Sequence, residues 1–485
     1  MAFAITQTCC ADASCVSVCP VNCIHPTPDE PDFGTTEMLY IDPDTCIDCG
    51  ACADACPVDA IFPAGDLTGP LQAYEELNAQ FYAGRDVLAE ATVAPNFHRW
   101  TPPAFTRVLP SDFAPLDVAV VGSGPAGMYA VEDLLLHTSA RVTLIDRLAT
   151  AGGLIRYGVA PDHPSTKKIG ETFARFHDHP RLRLRLGTEA GPELAERHDA
   201  VIYAVGATEA RRLGIRGEDL PGSLPAASVV GWYNGHPDIE PDAVDLSAER
   251  VAVVGTGNVA LDIARILTAD PETLAGTSVA PEALAWLRSS KVREVVLLAR
   301  RGPENAAYTR SELLALAARG DLVVDAHDPR IAAAIEAGDG KAAWLRGVPR
   351  VAVDWSSPPP DGRRIVLRFH SAPLELTGDT EVRGVRVTGD VEISAGRVVR
   401  AAGFRGVPVP GLPFDEDTGT VPNTAGRVEP GTYVAGWIKR GPSGGIGANK
   451  ACAGETVGAL LEDAVAGRLR TRAPRRRLAK LLGRA

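Results

Sequence analysis

The sequence predicts a small α+β head joined to a larger α/β body, and three observations carry that prediction. Nine of the ten cysteines fall within residues 9 to 56. Two glycine-rich turns, at 122–127 and 255–260, each follow a short apolar strand pattern and open a helix. At 485 residues the chain exceeds one ordinary core, because domains usually hold roughly 100 to 200 residues.

Composition narrows the class. Hydrophobic residues make up 45%, and the 48 glycines suit a globular, loop-rich α/β protein. No apolar run approaches the roughly 18 residues of a spanning helix, so membrane insertion is not expected. The start, MAFAITQTCC, has neither a basic n-region nor a long apolar core, so a cytoplasmic protein is expected. The net charge of -12 is unevenly spread: residues 1–66 contain eleven acids and no Lys or Arg, whereas residues 468–485 contain eight Lys/Arg and no acid. An acidic head suits docking on a basic surface. The basic tail is expected to be an unstructured terminus, and no nucleic-acid partner is expected.

Cysteines this dense in a cytosolic chain argue for metal ligation rather than disulfides. Cys452 stands apart and reads as a packed thiol. The second cluster motif is Cys46-x2-Cys49-x2-Cys52-x3-Cys56-Pro57, the bacterial iron–sulfur spacing in which the fourth cysteine serves the other cluster. Short spacings let thiolates from one loop converge on a cubane, and Pro57 turns the chain away. Zinc fits a 2-2-3 spacing before proline poorly. The first motif, Cys9-x2-Asp12-x2-Cys15-x3-Cys19-Pro20, keeps this frame but has Asp12 where the second thiolate should stand. One iron loses its sulfur ligand. The first cluster, on Cys9, Cys15 and Cys56, is therefore expected to be [3Fe-4S], or a [4Fe-4S] whose fourth iron is held weakly by Asp12 or solvent. The second, on Cys46, Cys49, Cys52 and Cys19, is expected to be an ordinary [4Fe-4S]. Cys10 and Cys23 are left over. Cys10 is an alternative to Cys9, although only Cys9 preserves the frame.

In the body, Asp117-Val-Ala-Val-Val-Gly122-Ser-Gly124-Pro-Ala126-Gly127 reads as strand, tight turn and helix start. Gly122 makes the turn, Gly124 admits a pyrophosphate and Gly127 allows close helix packing. The next strand pattern ends on Asp146, where a ribose hydroxyl needs an acceptor. A second fingerprint, Gly255-Thr-Gly257-Asn258-Val259-Ala260, is followed by a strand pattern that ends on Arg300-Arg301, with no acid there. Guanidinium binds a 2'-phosphate that a carboxylate would repel, which favours NADP over NAD. NADPH delivers two electrons as a hydride, whereas a cluster takes one at a time. A flavin can divide the pair, so the first site is expected to hold FAD.

The head, with Val18-Cys19-Pro20-Val21 and Ala55-Cys56-Pro57-Val58 as halves of an internal repeat, closely resembles the seven-iron bacterial two-cluster ferredoxins over residues 1–62. The two fingerprints, with Gly158-Val-Ala-Pro-Asp-His163-Pro164 and the segment Gly436–Lys450, resemble the adrenodoxin-reductase-like ferredoxin–NADP reductases over about 116–467. Together the chain looks like the fused bacterial ferredoxin/ferredoxin–NADP reductase type. The resemblance implies a ferredoxin-like two-cluster head followed by a Rossmann-like flavoprotein with two dinucleotide-binding domains. Expected limits are 1–66 for the two-cluster ferredoxin domain and 67–115 for a linker, then 116–208 and 396–467 for a divided FAD domain around an NADP domain at 209–395. The basic tail occupies 468–485.

Residue by residue, the resemblance places FAD on Gly122, Gly124, Ala126, Asp146, Leu154, Trp437, Gly444, Gly445 and Ile446. It places NADP on Arg211, Gly257, Asn258, Val259, Ala260, Arg300, Arg301, Glu312 and Gly444. His163 is the family-matched candidate for the flavin region, its alternative being a satisfied structural histidine. Trp437 is a candidate for shielding the flavin or for packing. The family's second acid, one helical turn beyond Glu312, is replaced by Ala315. The implied activity is electron transfer from NADPH through FAD to the chain's own clusters, then to an external ferredoxin or monooxygenase. A glutamate-synthase small-subunit-like module fits the Trp437–Lys450 segment less well. A redox sensor with a labile first cluster would leave two nucleotide sites superfluous.

Overall fold

The computed structural model describes residues 2–83, 107, 109–191 and 193–469. Most of the expected linker from 84 onward and nearly all of the basic tail lie outside the described residues.

The head contains two short antiparallel ribbons, Phe3–Ile5 with Ile61–Pro63 and Ile24–His25 with Tyr40–Ile41. Ile5, Ile24, Leu39 and Ile41 fill its interior. The head runs beyond the limit of residue 66 expected from the sequence. Residues Ala73–Tyr82 form a helix, not linker, and pack onto both ribbons. Tyr74 and Leu77 on that helix are buried, and Phe81 stacks on Tyr40 with ring centroids 4.3 Å apart. Asn78, buried between the ribbons, accepts from Ile5 N at 3.1 Å and Ile41 N at 2.8 Å and donates to the Ile5 carbonyl at 2.9 Å. One amide thereby satisfies backbone groups that the short ribbons leave open.

The body has two sheets. The first has six strands in the spatial order Arg427–Glu429, Thr432–Val434, Ala200–Tyr203, Asp117–Val121, Arg141–Ile145 and Leu182–Arg185, all parallel except at the Arg427–Glu429 hairpin. Its central strand is buried from Val118 to Val121, which is why that run is apolar without alternation. The helix Pro125–His137 carries proline in its first turn, where the missing N–H costs nothing, and packs along Ala448–Val465.

The second sheet has seven parallel strands in the order Ser223–Pro225, Arg397–Arg400, Arg250–Val254, Glu294–Leu298, Arg364–Arg368, Leu322–Asp325 and Arg350–Val351. Strand Arg397–Arg400 falls in the stretch assigned from sequence to the FAD side, but it pairs inside this sheet. The boundary expected at 396 therefore moves to the ribbon Glu209–Ala210/Phe404–Arg405, where the chain crosses between the units. Buried pairs Arg250–Glu294 and Arg368–Asp325 flank Trp355, with each guanidinium 5.3 Å from the ring centroid. Arg250–Glu294 ties strand starts together, and Arg368–Asp325 ties strand ends on the edge where the second fingerprint lies.

The head rests on both units. Lys341 Nζ meets Glu37 at 3.1 Å, Glu37 accepts the Arg310 N–H at 2.7 Å, and Lys168 pairs with Asp59. No helix among the described residues is long and apolar enough to cross a membrane.

Candidate redox site

Both fingerprints lie at the C-terminal ends of central parallel strands, where helix N-termini converge and ligands of open α/β sheets bind. At the first, a Cβ on Gly127 would stand 1.9 Å from the Gly122 carbonyl oxygen, so only glycine lets the helix approach the turn. Gly124 faces Gly153 across the turn, just before the short helix that begins at the half-exposed Leu154. Asp146 follows strand Arg141–Ile145 and accepts from Ser123 N at 2.8 Å, Ser123 Oγ at 2.5 Å and Leu148 N at 2.9 Å. These bonds aim its carboxylate along the fingerprint and leave lone pairs for a further donor.

The distant segment returns to the same place. Ala126 Cβ lies 2.6 Å from where Gly436 would carry its own Cβ, which seats the 436–447 loop over the first helix N-terminus. Trp437 donates its indole N–H to the Ser443 carbonyl at 3.1 Å and stacks near Phe404 at 6.2 Å. Gly444 and Gly445 are exposed there, and Ile446 packs against the core shared with the head.

At the second fingerprint, Gly255 and Gly257 form the turn, and Asn258, Val259 and buried Ala260 begin helix Asn258–Thr268. Asn258 Oδ1 accepts the Thr309 N–H at 2.9 Å and so binds the fingerprint to helix Arg310–Ala317. Arg300 and Arg301 follow strand Glu294–Leu298, both exposed and without a carboxylate partner among the described residues. Arg211, also exposed, donates Nε to the Phe404 carbonyl at 3.0 Å on the crossover ribbon.

Between the two units lies a charge cluster that sequence reading only partly found. His163, Asp262 and Glu312 bring potential ligand atoms within 4.8 Å of one another. Arg265 joins them: Nη2 meets Asp262 at 2.7 Å and Nη1 meets Glu312 at 3.3 Å, while Asp162 takes two bonds at 2.7 and 3.0 Å. Burial pushes the Asp262 carboxyl up to about 6, with Arg265 opposing and Glu312 reinforcing that rise. Burial also raises Asp162, but the guanidinium beside it wins and holds it below the ordinary carboxylate value. Sequence inspection named His163 and Glu312 but missed Asp262 and Arg265. Two opposite charges three positions apart in the apolar run Val-Ala-Leu-Asp-Ile-Ala-Arg-Ile-Leu were the available signal.

The cysteines form two groups. Cys9, Cys10, Asp12, Cys15 and Cys56 line one small cavity with Ile5, Leu39 and Val58. Cys19 lies with Cys23, their sulfurs 3.4 Å apart, and charges on Cys19, Cys46 and Cys49 bear on Cys52. Cys56 thus sits with the first motif and Cys19 with the second. Burial pushes Cys9 and Cys52 up to about 11 and Cys15 higher still. Neutral thiols gathered this tightly release their protons to a cation that holds several thiolates, the donor chemistry of an iron–sulfur cluster.

Two dinucleotide-type units meeting at one crevice, with a cysteine-rich head against them, define a pyridine-nucleotide oxidoreductase that handles single electrons. The 4Fe-4S binding domain family matches residues 39–62, and the pyridine nucleotide-disulphide oxidoreductase family matches 116–302. A probable ferredoxin/ferredoxin--NADP reductase of Mycobacterium tuberculosis (strain ATCC 25618 / H37Rv) is 47% identical, across 97% of this chain and 85% of that one. Its counterpart in Mycobacterium leprae (strain TN) is 46% identical across 96% and 87%. The solved structure of Mycobacterium tuberculosis FprA in complex with NADPH is 41% identical with a TM-score of 0.66, covering 74% of this chain and 87% of that one. The chain belongs to the ferredoxin/ferredoxin–NADP reductase family and is an NADPH-dependent oxidoreductase with an iron–sulfur head.

Proposed function

We propose that the chain passes electrons from NADPH through FAD to two clusters in its own head, and from there to an external ferredoxin or monooxygenase in the cytoplasm. FAD, when bound, supplies the division of a two-electron hydride into single electrons. Gly122, Gly124, Ala126 and Gly127 would hold its pyrophosphate, Asp146 its ribose, and Leu154, Trp437, Gly444, Gly445 and Ile446 would surround the rest. Gly255, Gly257, Asn258, Val259 and Ala260 would hold NADP(H), and Arg211, Arg300 and Arg301 would take its 2'-phosphate. His163 would serve the flavin side of the crevice and Glu312 the nicotinamide side, with Arg265 holding Glu312 and Asp162 in place. Cys9, Cys15 and Cys56, with Asp12 at the open corner, would hold a [3Fe-4S] or Asp12-associated [4Fe-4S] cluster, and Cys19, Cys46, Cys49 and Cys52 a [4Fe-4S] cluster.

The observation that carries this reading is the bond from Gly447 N–H to the Cys10 carbonyl at 2.9 Å, which joins the cysteine-bearing head to the segment that closes over the first fingerprint. The test is anaerobic titration of the holoprotein with NADPH, following flavin absorbance and cluster EPR together. Bleaching of the flavin with changes in the cluster signals is expected. Flavin reduction with both clusters silent through turnover would refute the internal relay.

A further inference from the structure

We infer that the two cysteine groups act in a fixed order: the Cys9/Cys15/Cys56 group receives electrons from the flavin side, and the Cys19/Cys46/Cys49/Cys52 group delivers them outward. This rests on the proposed relay and adds its direction inside the head.

Three contacts put the first group against the body. The Cys10 carbonyl accepts the Gly447 N–H, and a Cβ on Gly447 would stand 2.3 Å from that oxygen, so glycine is what permits the approach. Lys450 Nζ reaches the Asp12 carbonyl and Ser14 Oγ, each at 3.4 Å, and lies 3.9 Å from the Asp12 carboxylate. Tyr129, on the helix that the first fingerprint opens, is 6% exposed, and its hydroxyl has no hydrogen-bond partner among the described residues. Its ring lines the same crevice as Asp12, Cys56 and Lys450. The first motif is thus enclosed by the two segments that shape the first nucleotide site.

The second group has the opposite character at its edge. Cys49 is exposed and Ile47 is 51% exposed, so this loop offers a ligand sulfur to solvent. Electron tunnelling favours short, enclosed separations, so the enclosed group suits receipt and the open one suits delivery.

The electron count closes. One NADPH is oxidised to NADP+, giving two electrons and one hydride proton to the flavin side. The electrons leave singly by the first group and then the second, reduce two equivalents of a one-electron acceptor, and leave the proton to solvent. No other oxidant or reductant is required.

The order is tested on the full holoprotein by mixing it anaerobically with NADPH, freezing samples over time and recording EPR. The first-group signal is expected to change before the second-group signal. In I47E, where an exposed side chain that is not a ligand is changed at the open edge of the second group, the first group is expected to be reduced at a rate within about twofold of the parent. Loss of first-group reduction in I47E with flavin reduction intact, or earlier change of the second group in the parent, overturns the order while leaving the relay standing. Flavin reduction with both groups silent in the parent overturns relay and order together. If I47E does not fold, the time course of the parent decides alone.

Discussion

Asp162 and Arg265, one on each side of the nucleotide crevice, are joined by two hydrogen bonds at 2.7 and 3.0 Å, and the guanidinium also reaches Asp262 and Glu312. Arg265 is 9% exposed in its side chain, so its removal leaves carboxylates buried without their counterion. Arg265→Met is expected to lower the unfolding free energy by about 3 kcal/mol, within the range for breaking a buried pair. Urea denaturation of the holoprotein measures this. Adding Asp162→Asn should recover part of the loss, because it removes one of the stranded charges. A loss under about 0.5 kcal/mol would show that water already screens the cluster.

The same cluster sets a pH dependence. With its carboxyl raised to about 6 from 3.8, folded Asp262 binds its proton more tightly than the unfolded chain does. Its contribution to stability is therefore complete below about pH 4 and falls away as pH rises through about 6. The groups facing it are Asp162, His163, Arg265 and Glu312. Relative to Asp262→Asn, the parent should lose about 1 kcal/mol between pH 5 and 7. Thermal unfolding of both proteins across that window checks the sign; a parallel or rising difference contradicts it.

Arg300 and Arg301 stand exposed beyond strand Glu294–Leu298 with no carboxylate partner among the described residues. Charge-assisted bonds to phosphate are worth about 1.5–3 kcal/mol, so alanine at either position should raise KM for NADPH about tenfold to a hundredfold. KM for NADH should stay nearly constant. Steady-state kinetics with an artificial one-electron acceptor separates the two cofactors, and equal losses for both would move the 2'-phosphate site elsewhere.

Asp12 lines the first cysteine cavity, and its carboxylate accepts from Ser14 N at 3.3 Å and from Ser14 Oγ. Asp12→Cys completes the 2-2-3 thiolate frame. Where the first group holds three irons, iron analysis of the anaerobically purified chain should rise from about seven to about eight atoms, and the EPR signal of an oxidised three-iron cluster should disappear. Eight irons and no three-iron signal in the parent would assign the Asp12-associated four-iron form, and a three-iron signal that persists in Asp12→Cys would mean that position 12 does not face the open corner.

The sequence by itself determined the features that depend on local spacing. Cysteines two and three residues apart must share a loop, and a glycine-rich turn between an apolar strand and a helix makes a nucleotide cradle without help from distant residues. The same locality placed Asp146, Arg300 and Arg301 at strand ends. Tertiary structure alone decided what distant segments do to each other. Helix Ala73–Tyr82 belongs to the head because Asn78 completes backbone hydrogen bonds of two ribbons, a role invisible until the ribbons are assembled. Strand Arg397–Arg400 joins the seven-stranded sheet because parallel pairing is settled by neighbours far away in sequence. Arg265 became the centre of a charge cluster only when Asp162 was brought from the other unit, and Gly447 met Cys10 only when opposite ends of the chain were packed together. Spacing encodes groups that must act from one loop, whereas burial and long-range hydrogen bonding bring together groups on which the local sequence is silent.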